Sequence, residues 1–184
     1  MRTTGDDRFR LAFVDDTEQL FVPFEIRPGI VIPPGLYRFD SIFLRGFSNR
    51  GRRVSWLGMI NIGNFYDGER ESVRLTTNLR LSRYLRSELV WNYNDVRLPQ
   101  GDFTAKIYGV RVDVSFTPDL RLNTFAQYND AAELVGLNVR FNWIYKPGAD
   151  LFVVYNQNWD APTFSARQTA RREVIIKYTY LWQP

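Results

Sequence analysis

The chain has 184 residues, 45% of them hydrophobic and 16% aromatic, with 24 Lys and Arg against 20 Asp and Glu for a net charge of +4. That length suits one domain, or a barrel of roughly eight to ten strands at about ten residues each. With neither Cys nor His, disulfides, thiol chemistry and a histidine base are excluded, and no apolar run approaches the roughly eighteen residues of a membrane helix. Arg is spread along the chain instead of clustered, so no nucleic-acid partner is expected.

In chain order, residues 1–35 read as an irregular N-terminal segment with one edge strand at most. The opening MRTTGDDRFRLAF lacks the apolar core of a secretory signal, and the chain reads as a fragment of a longer protein. Leu20 to Phe24 suits a short strand, while Pro23, Pro28, Pro33 and Pro34 interrupt hydrogen-bond ladders. Residues 36–184 read as an antiparallel β-barrel. Its strands are predicted at Tyr37–Phe47, Val54–Phe65, Ser72–Leu81, Leu85–Asp95, Phe103–Phe116, Leu120–Tyr128, Leu134–Tyr145, Leu151–Trp159 and Arg172–Trp182.

The connections are expected to alternate in length. Ser48–Arg52, Ser82–Tyr84, Thr117–Asp119 and Lys146–Gly148 read as tight turns; Tyr66–Glu71, Val96–Asp102, Asn129–Glu133 and Asp160–Arg171 read as longer loops. Short turns at one end and longer loops at the other are the pattern of bacterial outer-membrane barrels.

Within each strand, apolar and polar residues alternate with the period of two that separates the faces of a sheet. Val135, Leu137, Val139, Phe141, Trp143 and Tyr145 share one face, and Gly136, Asn138, Arg140 and Asn142 the other. The fold class expected is therefore all-β, an antiparallel up-and-down transmembrane β-barrel of about 8–10 strands. A soluble β-barrel or sandwich is the alternative, because alternation alone does not say which face is buried.

Two features favour the membrane. The polar face is rich in Asn and Arg and poor in the Lys and Glu that wet strands prefer, and the apolar face ends in aromatics suited to an interfacial girdle. The predicted girdle is Trp91, Tyr93, Tyr108, Trp143, Tyr145, Tyr155, Trp159, Tyr178, Tyr180 and Trp182. The predicted lumen lining is Arg74, Asn78, Arg80, Arg86, Glu88, Asn92, Arg111, Asp113, Arg121, Asn123, Asn138, Arg140, Asn142, Glu173 and Lys177, with Ser115, Gln127, Asn156 and Thr179 on the same face. Cations outnumber carboxylates in this set, so it would form either a structural polar core or an anion-preferring lumen.

Several segments carry a resemblance: FVPFEIRPGIVIPPGLYRF (21–39), NFYDGER (64–70), YNDVRLPQGDF (93–103), FAQYND (125–130), GLNVRFNWIYKPGADLFVVYNQNWD (136–160) and VIIKYTYLW (174–182). Together they resemble the C-terminal outer-membrane β-barrel part of a bacterial family of unknown function. Its long members carry an N-terminal domain similar to family-nine carbohydrate-binding modules. The resemblance implies a barrel in the bacterial outer membrane. A sugar-binding role carried by the N-terminal module of the long members does not transfer to this chain, which lacks that module.

The function expected is that of an outer-membrane barrel without enzymatic activity, a structural or pore-forming element or a subunit of a larger envelope assembly. The alternative is a soluble β-barrel that binds a ligand or protein partner. No catalytic residue, metal ligand or cofactor site is expected. The loop acids Asp67, Glu69, Asp95 and Asp102 are the best catalytic candidates and read more simply as turn formers. The expected partners are the lipid bilayer and other envelope chains pairing with any strand edge left open, since lipid does not tolerate an unpaired edge.

Overall fold

A computed structural model describes residues 6–163 and 166–181, and all regular structure in it is β. The strands are β1 (Arg8–Leu20), β2 (Phe24–Arg27), β3 (Ile30–Ile32), β4 (Gly35–Phe47), β5 (Val54–Phe65) and β6 (Gly68–Arg80). They continue with β7 (Leu85–Arg97), β8 (Phe103–Thr117), β9 (Leu120–Asn129), β10 (Leu134–Lys146), β11 (Ala149–Thr163) and β12 (Ala166–Tyr180). Ten of them form one antiparallel sheet in the order β1-β4-β5-β6-β7-β8-β9-β10-β11-β12, and β2 and β3 form a separate hairpin.

All nine predicted strands are present, and three expectations are corrected. The segment read as irregular contains β1, which pairs with β4 from Arg8↔Phe47 to Leu20↔Gly35. Its alternation of Phe9, Leu11 and Phe13 gives way to Asp15, Asp16 and Glu18, which hid it. The short strand expected across residues 20–24 is instead where β1 ends and β2 begins.

The third correction concerns the loops. β6 begins at Gly68, so only Tyr66 and Asp67 separate it from β5, and β11 continues to Thr163 before β12 starts at Ala166. The expected contrast between short turns and long loops is therefore absent. Ladder pairing needs only backbone groups, so strands run on through polar residues such as Gln168 and Arg171.

The chain divides into two compact units. Unit 1 comprises Met1–Asn49, Trp56–Thr76 and Trp91–Lys106, and holds the one cluster of buried hydrophobic residues among those described: Ile32, Tyr37, Val96 and Leu98. Ile26 and Ile30 of the β2–β3 hairpin pack against it together with Phe39, Phe65 and Tyr66. The Arg27 guanidinium lies 5.0 Å from the Phe103 ring centre, and the Tyr37 hydroxyl donates to the Pro33 carbonyl at 2.7 Å. Tyr66 sits at the centre of the ring contacts, 5.0 Å from Tyr37 and 4.7 Å from Phe65. Burial, and then the neighbouring Glu18 carboxylate, raise the Tyr66 phenol above its ordinary 10.0.

Unit 2 comprises Arg50–Ser55, Thr77–Val90 and Ile107–Pro184. Here β8–β9–β10–β11–β12 pair in chain order, with register shifts at Ser115/Thr117 in β8, Ile144/Lys146 in β10, and Asn158/Trp159 and Asp160/Thr163 in β11. One tight turn follows directly from residue chemistry: Pro147-Gly148 links β10 to β11 with Gly148 at φ 78°, the glycine-favouring position of a turn that proline opens.

Candidate functional site

Register sorts the side chains of unit 2. Val112↔Thr124, Thr124↔Val139, Val139↔Tyr155 and Tyr155↔Val174 align across five strands on one face. Arg111↔Phe125, Phe125↔Asn138, Asn138↔Asn156 and Asn156↔Glu173 align on the other. The polar face therefore brings together Arg111, Asp113, Arg121, Asn123, Asn138, Arg140, Asn142, Glu173 and Lys177. Glu88 joins them through its contact with Arg111 at 3.7 Å. Asn78, Arg80 and Arg86 also belong to unit 2, whereas Arg74 and Asn92 belong to unit 1. Arg80 turns toward the β4–β5 connection, donating to the carbonyls of Gly51 and Arg50 at 3.4 and 3.5 Å.

The polar groups on this face are unevenly satisfied. The three carboxylates of the predicted lining each have a partner: Glu88 has Arg111, Asp113 accepts from Asn123 at 2.8 Å, and Glu173 lies 3.5 Å from Arg171. Arg111 also stands over the Phe125 ring at 4.9 Å, and Arg121 donates to the Pro118 carbonyl at 3.2 Å. Arg86, Arg140 and Lys177 make no ion pair among the described residues. The surplus of positive charge seen in the sequence thus remains after local pairing.

At the β9–β12 end nearest Asn129 and Leu134, this face opens into a cleft of about 420 Å³. Its polar lining is Gln127, Asn138, Asn156 and Asn158, with Phe125, Gly136 and the Arg171–Glu173 pair. Gly136 lies between Gln127 and Asn158 in the ladders, so the floor has no side chain there. The Asn138 amide donates to the Asn156 side-chain carbonyl. Alternation already places Gly136 on this face, whereas Asn158 lies within the predicted strand Leu151–Trp159 but outside the predicted lining, and Arg171 falls in the segment that reads as a loop. Asn158 stands two residues beyond Asn156 on the same strand face, which is the signal that could have found it.

The opposite face carries the aromatic residues. Near one end of β10, Trp143 and Tyr145 have ring centres 5.9 Å apart, Tyr145 stacks on Tyr178 at 5.9 Å, and Lys146 donates to the Tyr180 hydroxyl at 3.0 Å. Toward the other end, Tyr108 stacks on Tyr128 at 6.5 Å and Trp159 stands opposite Val135. Eight residue steps separate Trp143 from Val135, about 27 Å along a strand and roughly 20 Å along a membrane normal at the usual strand tilt. The apolar band of a membrane barrel is about 25 Å tall.

Tyr155 lies inside this interval, where its hydroxyl and the Arg172 guanidinium both donate to Gln157, at 2.9 and 2.8 Å. That polar group marks where β11 and β12 stop being apolar. Trp91 and Tyr93, with ring centres 6.2 Å apart, belong to unit 1, and Trp182 lies outside the described residues.

Three of the four acids that are the best catalytic candidates, Asp67, Asp95 and Asp102, have structural partners. Asp95 accepts from Thr104 at 3.0 Å and from Arg97 at 2.9 Å, Asp102 accepts from the Leu98 amide at 3.1 Å, and Asp67 accepts from Gln100 at 3.2 Å. Among the described residues no group of acids could hold a metal ion. No family model, curated protein or solved structure matches the chain.

Proposed function

We propose that the chain is a bacterial outer-membrane β-barrel protein without enzymatic activity, serving as a structural or pore-forming element or as a subunit of a larger envelope assembly. The observation that carries this reading is an inverted distribution of hydrophobic surface. Among the described residues, thirty large hydrophobic side chains are exposed and only eight hydrophobic residues are buried. Leu11 at 72%, Ile42 at 57% and Ile176 at 67% exposure come from three separate strands. A water-soluble sheet of this size would bury such a face against a second layer; hydrocarbon covers it without one. The aromatic spacing and the Asn- and Arg-rich opposite face support the same reading.

In this reading the apolar face meets lipid and the polar face lines the interior. The outer strands β1 and β12 then have their backbone groups satisfied by sheet closure or by an envelope chain, because lipid offers no hydrogen bonds. The resemblance to the barrel part of the envelope family agrees with this location. The test is extraction and gel mobility. The protein expressed with an outer-membrane export signal should fractionate with outer membranes, require detergent for release, and migrate differently before and after boiling. Full solubility without detergent, with a single gel mobility, would favour the soluble binding module instead.

A further inference from the structure

We propose that the cleft between β9 and β12 is a binding site for a neutral, hydroxyl-rich ligand, a saccharide segment. The inference stands on unit 2 alone and goes beyond the membrane reading. Its volume of about 420 Å³ falls within the ~300–1,000 Å³ of small-ligand sites.

The functional groups select the ligand class. A side-chain amide offers donors and an acceptor together, and a sugar hydroxyl does the same, so neighbouring amides match neighbouring hydroxyls. Asn138 and Asn156 bond to each other, which fixes their orientation and leaves the Asn138 carbonyl and the Asn156 NH2 for a ligand. The Gln127 and Asn158 amides have no side-chain partner among the described residues, although both are partly buried. A half-buried amide without a partner gains from a ligand that supplies one.

Charge argues against an ionic ligand. The one cation and the one carboxylate in the lining are 3.5 Å apart, so each offsets the other. An anion would have to compete with Glu173 for Arg171, and a cation with Arg171 for Glu173. Phe125 supplies an apolar ring in the lining, as the C–H faces of a sugar ring require.

Gly136 supplies the space. A Cβ at Gly136 would stand 3.4 Å from the Asn158 side-chain oxygen, an ordinary contact, so a larger residue there fills the cleft without breaking the strand. This provides a steric test alongside a chemical one. Detergent-purified protein would be applied to an array of neutral and acidic glycans, together with Gly136→Val and Asn158→Ala. Both variants would be checked for native β-sheet circular dichroism.

The expected result is binding to neutral glycans, weakened about tenfold or more by either substitution. Binding confined to acidic glycans, no glycan binding by the native protein, or binding unchanged in folded Gly136→Val would each overturn the proposal. Should Gly136→Val fail to fold, Asn158→Ala and Gln127→Ala decide it by the same criterion, because both shorten side chains that have room around them.

Discussion

At the scale of single residues, close backbone approach and exposed apolar side chains make the sharpest demands. A Cβ on Gly68 would collide with the Arg97 carbonyl oxygen, because β6 starts where β7 ends. Gly68→Ala is therefore expected to destabilise unit 1 by about 1–3 kcal/mol, the usual cost of overpacking, read as a lower urea midpoint. Val110 makes the opposite demand. It is 42% exposed, so a water-facing Arg at this site would be nearly neutral. If Val110 faces hydrocarbon, Val110→Arg costs about 2–4 kcal/mol, measured by denaturant-dependent folding into lipid vesicles. An unchanged folding free energy would count against lipid contact.

At the scale of elements, the β2–β3 hairpin is the part whose role emerges only from packing. Its sequence, FEIRPGIVI, reads as interrupted by Pro28, and a three-residue strand has no independent stability. Ile32 is nevertheless fully buried among Tyr37, Val96 and Leu98, and Gly101 lies 3.2 Å from Ile30 when a Cβ is placed on it. The hairpin thus covers the less exposed face of β4 by contact with three other segments of unit 1. Ile32→Ala should cost about 2–5 kcal/mol and expose Arg27 and the β2–β3 turn to protease, while Val31→Ala, whose side chain is exposed, should change neither. Equal protease resistance in native protein and Ile32→Ala would show that the hairpin is held some other way.

At the scale of the whole molecule, the proposed pore takes its selectivity from the pairing pattern. Glu88, Asp113 and Glu173 are engaged by Arg or Asn, whereas Arg86, Arg140 and Lys177 make no ion pair among the described residues. If current passes along this face, anions are expected to be preferred, and the triple replacement Arg86→Gln, Arg140→Gln and Lys177→Gln should reduce that preference. Reversal potentials in planar bilayers under a salt gradient read this directly, and cation preference in the native protein would contradict it. Much of this organisation was legible beforehand. Val54–Phe65 is reproduced to the residue, and the alternation on Val135–Tyr145 assigned Asn138, Arg140 and Asn142 to one face, because a period of two is a local property of extended backbone.

What the sequence by itself determined is the all-β class, the positions of nine strands and the partition of their side chains into two unlike faces. Only the tertiary structure decided that β1 joins the sheet, that β6 and β12 begin inside segments that read as loops, and that the hairpin is covered by Val96 and Leu98 from a distant segment. It also brought Gln127, Gly136, Asn158 and Arg171 to one cleft. The physical reason is the same in each case. Strand pairing and burial depend on which backbone lies alongside, and the pattern within one strand does not name that partner, whether it follows a tight turn or stands tens of residues away.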